Sequence, residues 1–203
     1  MKIALIGATG FIGSRLLQEL SDRGHAVTAL VRKPDAVPAL PGVTARRADA
    51  ADQAGLAGLL AGHDAVISAV HFTASEPAKL LDAVRDAGVP RYLVVGGAGS
   101  LEVAPGVRLF DTPDFPPAYL AEAKAGGAFL DLLRREQTLD WTFLSPAAEI
   151  APGARTGQFR LGEEQLVVDA TGRSHISAED YAVALVDELE RPAHFRQRFT
   201  IGY

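Results

Sequence analysis

Three glycines at the extreme N-terminus constrain this chain more than any other feature. The run Met1-Lys-Ile-Ala-Leu-Ile-Gly7-Ala-Thr-Gly10-Phe-Ile-Gly13 joins an apolar stretch of strand length (Ile3 to Ile6) to a helical pattern carried by Leu16, Leu17 and Leu20. A strand, a tight turn and a helix N-terminus in that order form a phosphate-binding element, because the first helical amides lack intrahelical acceptors. Gly7 serves the tight turn, Gly10 lets backbone amides approach a pyrophosphate, and Gly13 permits close packing of helix on strand. The spacing is G-x-x-G-x-x-G, which departs from the usual G-x-G-x-x-G dinucleotide fingerprint.

The rest of the chain repeats the alternation of apolar runs and amphipathic segments expected of a doubly wound parallel sheet. Strands are predicted at Lys2–Ile6, Ala26–Val31, Val43–Ala48, Ala65–Val70, Arg91–Val95, Trp141–Leu144 and Phe199–Ile201. Helices are predicted at Phe11–Arg23, Gln53–Leu60, Glu76–Ala87, Tyr119–Arg135 and Ala178–Glu190. Gly24 and Gly88 stand just past helix ends, where glycine is favoured. Ser177 and Asp180 form a capping-box pattern for the last helix, with aspartate replacing the usual glutamate. Residues 100–118 carry Pro105, Pro113, Pro116 and Pro117 and read as a loop over the carboxyl end of the sheet. Residues 151–175 read as short antiparallel strands turning at Gly157, Gly162 and Gly172. The expected fold is therefore α/β: a Rossmann-type doubly wound parallel sheet in three αβα layers. A small irregular C-terminal lobe forms the substrate side, and residues 1–203 make one domain.

Composition narrows the partners. A net charge of −5 and a pI near 5.5 leave no electrostatic footprint for nucleic acid or an anionic membrane. With no cysteine, disulfides, thiol catalysis and cysteine-ligated metals are excluded. The five histidines (His25, His63, His71, His175 and His194) show no metal-ligand spacing, so no metal is expected. No segment has the length of a membrane span, and the N-terminal apolar run is too short for a leader. The expected setting is cytoplasmic and the expected partner a small-molecule substrate, while no feature specifies an oligomeric state.

Gly7-Ala-Thr-Gly-Phe-Ile-Gly13, Leu30-Val-Arg32 and Trp141-Thr-Phe-Leu-Ser-Pro146 together resemble the short-chain dehydrogenase/reductase superfamily. The likeness is to its atypical members: NmrA-like, flavin and biliverdin-IXβ-reductase-like, and small epimerase-like NAD(P)H-binding proteins. The resemblance spans essentially the whole chain. It implies that the backbone of Thr9, Gly10, Phe11 and Ile12 holds the pyrophosphate. Residues after the third and fourth strands would flank adenine and ribose, with Ser145, Pro146 and Ala147 near the nicotinamide.

Arg32 refines the cofactor. It closes the second strand, 25 positions after Gly7, where NAD-preferring proteins carry an acid for the ribose 2′-hydroxyl. A guanidinium there pairs with a 2′-phosphate, so NADP(H) is expected over NAD(H). Asp49 either contacts adenine or caps the following segment. The small residues Ser68, Ala69 and Val70 suit a ribose passing close to the backbone, or simply a buried strand. Typical members of the superfamily use a tyrosine acid with a lysine four residues later. Here Tyr119 and Lys124 stand five apart, with Ser100 as a loose third member. Five residues rotate an ideal helix by about 500°, about 100° past the favourable neighbour position.

The leading expectation is an NADPH-dependent oxidoreductase passing a hydride to a small planar acceptor, of quinone or flavin type. Solvent can protonate such a product, and Phe110, Phe115 and Tyr119 would wall its pocket unless they serve ordinary packing. The alternatives are a carbonyl dehydrogenase or epimerase using Tyr119 and Lys124, and a non-catalytic NADP(H)-binding redox sensor.

Overall fold

A computed structural model describes residues 1–203. Four apolar runs and one more polar segment, the third, become parallel neighbours: β1 (Lys2–Ile6), β2 (Ala26–Val31), β3 (Val43–Arg47), β4 (Ala65–Ser68) and β5 (Arg91–Val95). After the hairpin strands β6 (Glu102–Ala104) and β7 (Val107–Arg108), β8 (Asp140–Ser145) rejoins the sheet. Strand β9 (Glu149–Ala151) leaves it, β10 (Arg160–Gly162) and β12 (Gln197–Gly202) return to it, and β11 (His175–Ser177) pairs with β9. The eight-stranded sheet runs β10-β12-β8-β5-β4-β1-β2-β3, parallel throughout except for β10.

Residue parity along each strand builds the three layers, since successive side chains point to opposite faces. Ile3, Leu5, Ala29, Ile67, Leu93, Leu144, Phe199 and Ile201 face α1 (Phe11–Asp22) and α5 (Ala178–Glu190). Ala4, Ile6, Leu30, Val66, Tyr92, Val94, Trp141 and Phe143 face α2 (Gln53–Leu60), α3 (Pro77–Asp86) and α4 (Pro117–Leu133). Both faces are covered, which is why these strands read as near-continuous apolar runs. The fold is the α/β Rossmann-type sandwich that the alternation predicts.

The C-terminal lobe differs from its expected form. Residues 151–175 were expected as antiparallel strands, but β9 and β11 pair in parallel and only β10 runs antiparallel, onto β12. Parallel partners cannot be joined by a tight turn, so local turn residues carry no record of that pairing. The proline-rich stretch also holds more structure than a loop. Its hairpin turns at Gly106 (φ +73°) and is tied to residues 164–166 through Glu102 N–H to Glu164 O and Leu166 N–H to Glu102 O, both 2.9 Å. Helix α4 starts at Pro117 rather than Tyr119, with proline at the position where a missing N–H costs nothing.

Two buried carboxylates pin chain reversals. Ser177 caps the start of α5, its Oγ accepting from the Asp180 amide at 3.0 Å, and Asp180 is buried beside it. Its carboxylate accepts from Thr156 N and Oγ1, Gly157 N and the Tyr203 hydroxyl. Glu136 joins α4 to β8. Burial pushes its carboxyl up, but hydrogen bonds from Thr138, Arg85 and the Leu139 amide outweigh burial and hold it at about 2. Because the folded value is depressed, this stabilisation is complete above the unfolded carboxylate range and is lost as pH falls towards 2. Glu136→Gln should therefore be less stable than the wild type by about 2 kcal/mol at pH 7, with the gap closing near pH 2. Urea unfolding of both proteins at the two pH values measures it, and an equal gap at both would contradict the assignment.

Candidate functional site

The carboxyl ends of β1, β2, β4, β5 and β8 gather one set of loops, and the glycine triplet is at its centre. Gly7 adopts φ +84°, donates to Leu30 O at 3.0 Å and accepts from Gly10 N at 3.0 Å, which closes the turn. A Cβ on Gly7 would stand 2.5 Å from Ala69 O and 3.0 Å from Val70 Cγ1, so the first turn lies directly against the loop after β4. A Cβ on Gly13 would stand 2.1 Å from Gly7 O. The third glycine thus admits the turn's own carbonyl, a closer approach than helix-on-strand packing alone requires.

Helix α1 begins at this turn with Gly10 as its cap, no capping side chain and no acidic residue in its first turn. Its first amides (Phe11, Ile12 and Gly13) therefore meet no protein acceptor, and Thr9 and Gly10 are exposed beside them. Such a helix end, with its positive dipole, is suited to a phosphate. The Phe11 ring, 44% exposed, is held by the Arg15 guanidinium 4.9 Å from its centroid. Bare amides and a cradle that any Cβ would fill fit the pyrophosphate of a dinucleotide.

Beyond β2, Arg32 and Lys33 are exposed. Strand β3 brings Arg46 and Arg47 alongside, Arg47 standing opposite Val31 in register. Asp49 is exposed and accepts from Ala51 N at 3.0 Å, while the α2 cap is Asp52, which accepts from Gly55 N at 3.1 Å. The capping role considered for Asp49 thus belongs to Asp52, and Asp49 closes only its own short turn. Strand β4 ends at Ser68, two residues earlier than expected, and Ala69 and Val70 belong to the loop.

The loop after β5, Gly96-Gly97-Ala98-Gly99, presents almost no side chains. A Cβ on Gly96 would meet the Phe143 ring at 2.3 Å, one on Gly99 would meet Ala123 Cβ at 2.6 Å, and one on Gly97 would enter open space. Gly96 thus admits the ring of β8, and Gly99 brings α4 close to the strand end. Ser145 and Pro146 close β8 and are buried, and the Ser145 hydroxyl has no hydrogen-bond partner.

The tyrosine–lysine pair is not assembled. Tyr119 is 67% exposed, Lys124 is exposed, and neither side chain takes part in a hydrogen bond. Five residues on a regular helix leave them about 140° apart. Ser100 is buried and accepts from Arg198 Nη1 at 2.9 Å. It packs beside Gly127, eight residues and about 12 Å along α4 from Tyr119. Phe110, half-buried, packs on Gly99 and Gly127.

One residue escaped the sequence reading. Glu122, on α4, accepts from Phe72 N at 2.7 Å, Thr73 N at 3.0 Å and Thr73 Oγ1 at 2.6 Å, and its Oε1 lies 3.3 Å from His71 Nδ1. Burial raises its carboxyl, but the bonds from Thr73 and Phe72 and the nearby His71 ring bring it below the ordinary carboxylate range. A glutamate on an amphipathic helix reads as solvated, and no local pattern links it to a turn 50 residues away.

Comparison with known proteins agrees with this geometry. A family described as NAD(P)H-binding matches residues 7–192. A "putative exported protein" from Burkholderia pseudomallei is 51% identical over all of both chains, with a TM-score of 0.90. A "putative epimerase" from Bacteroides thetaiotaomicron is 47% identical over 100% of this chain and 96% of its own, with a TM-score of 0.95. A "putative NADH-flavin reductase" from Streptococcus pneumoniae is 38% identical over 100% of this chain and 99% of its own, with a TM-score of 0.86.

Proposed function

Because this chain belongs to the NAD(P)H-binding family, we propose that it is an NADPH-dependent oxidoreductase whose hydride acceptor is a small planar molecule of quinone or flavin type. The observation that carries the reading is the pairing of a bare α1 N-terminus with an exposed arginine cluster at the ends of β2 and β3. The first supplies amides for a pyrophosphate, and Arg32, flanked by Arg46 and Arg47, supplies a cation for a 2′-phosphate. The similarity to a protein described as an NADH-flavin reductase supports the acceptor class.

The protein's share of the chemistry is binding, orientation and exclusion of water. When bound, the nicotinamide supplies the hydride. Thr9, Gly10, Phe11 and Ile12 would hold the pyrophosphate through their backbone. Ala69 and Val70 would border the ribose, and the side-chain-poor Gly96–Gly99 loop would leave a flat face for the acceptor. Ser145 and Pro146 would form the floor beneath the nicotinamide.

The separated Tyr119 and Lys124 favour this reading over a carbonyl dehydrogenase or epimerase. Purified protein should oxidise NADPH when a quinone or free flavin is supplied, and Tyr119→Phe should retain that rate within about twofold. NADPH binding without turnover with any acceptor would favour a redox sensor. A Tyr119→Phe variant that lost its activity would restore the tyrosine–lysine mechanism.

A further inference from the structure

The turn of residues 72–74 follows the β4 loop and is fixed from two sides. Below it, buried Phe72 stacks on Phe143 (ring centroids 6.1 Å apart, 17° between planes) and meets Phe129 edge-on at 5.8 Å. It lies against α4 at Gly126, where a Cβ would stand 2.8 Å from its ring. Above it, the Glu122 carboxylate gathers two amides and a hydroxyl from Phe72 and Thr73. A turn held this firmly sets the place of the residue that leads into it, and that residue is His71.

His71 stands two residues past Ala69, whose carbonyl borders Gly7. Its Nδ1 is the nitrogen facing Glu122 Oε1, and its side chain is 83% exposed with Nε2 unpartnered. A carboxylate on one ring nitrogen fixes which nitrogen keeps the proton and leaves the other to exchange it. Nucleophiles and acids oriented by a third group follow the same logic.

On the proposed reading that the protein reduces a planar acceptor with NADPH, we infer that His71 is the proton donor and Glu122 its positioning residue. An acceptor that takes a hydride from the reduced nicotinamide gains two electrons and becomes an anion. The Nε2–H bond of the His71 imidazolium breaks, and a new O–H or N–H bond forms on that anion. The neutral ring keeps its Nδ1–H towards Glu122 and regains a proton on Nε2 from water. Glu122 stays a carboxylate throughout. The pair would thus supply the acid function that Tyr119 and Lys124 do not.

The test has one readout on the free protein and one on turnover. In nitrogen-15 spectra of histidine-labelled protein without cofactor, the neutral His71 ring should carry its proton on Nδ1. In Glu122→Ala it should move largely to Nε2. With a quinone acceptor, His71→Gln should lower kcat at least tenfold while its Kd for NADPH, read by fluorescence, stays within about twofold. Imidazole added to His71→Ala should restore part of the lost rate, which a purely structural role would not allow. The high exposure of His71 means that neither His71→Gln nor His71→Ala disturbs the core. A wild-type kcat in His71→Gln, or a neutral wild-type ring protonated on Nε2, overturns the inference while leaving the proposed function intact. Absence of acceptor reduction by the wild type overturns that function and the inference with it.

Discussion

Gly13→Ala should lower the apparent melting temperature by roughly 4–8 °C and weaken NADPH binding more than tenfold. The added Cβ would stand 2.1 Å from Gly7 O, 2.9 Å from Gly7 C and 3.2 Å from Ala8 Cα, all of them backbone atoms with no rotamer to yield. Either α1 must tilt away or the turn must open. Overpacking of this kind costs about 3 kcal/mol, and for a domain of this size each kcal/mol shifts the midpoint by about 2–4 °C. Alanine is the better helix former by about 1 kcal/mol, so any net loss isolates the steric term. Displacing Gly7 also moves the amides that would face the pyrophosphate, which links the loss of stability to a loss of binding. Gly58→Ala is the control, since a Cβ at that helical position meets nothing within 4 Å, and it should be neutral or slightly stabilising. A Gly13→Ala protein as stable and as tight-binding as the wild type would show that the close approach is unnecessary.

Arg32→Ser should weaken NADPH binding about thirtyfold and leave NADH within about threefold. A guanidinium bonded to a phosphate contributes about 2 kcal/mol, and each 1.4 kcal/mol is roughly tenfold in affinity. Arg32 is exposed, so the difference should shrink as salt is raised. Fluorescence titrations of both cofactors with both proteins measure the effect. Tighter binding of NADH than of NADPH by the wild type would remove the phosphate from the reading. Arg46 and Arg47 should each have a smaller effect, because they flank the strand end rather than close it.

Much of the scaffold was legible along the chain. Ile3 to Ile6, Ala65 to Ser68 and Arg91 to Val95 are short apolar runs bounded by glycine, aspartate or proline, and each became a central strand. Buried positions on both faces leave a hydrophobic record that survives without any partner in view. The first turn was equally legible, because a positive φ at Gly7 and the crowding around Gly13 can be met only by glycine.

The remaining features depended on groups far apart in sequence. The parallel pairing of β9 with β11 joins residues 149–151 to 175–177 and has no turn signature. Ser100 looked available beside a candidate tyrosine, yet the fold commits it to Arg198, 98 positions away. Glu122 looked like surface charge until α4 packed against the loop after β4.

The sequence by itself determined the sheet, its covering helices and the glycine turn that opens them, since each rests on local steric limits and on the period of apolar residues. Only the tertiary structure decided which polar side chains meet at the carboxyl ends of the strands. It left Tyr119 and Lys124 apart and brought Glu122 to His71, Phe72 and Thr73. The physical reason is that a hydrogen bond between distant segments leaves no periodic trace in either of them. It exists only once packing has brought donor and acceptor to within about 3 Å of each other.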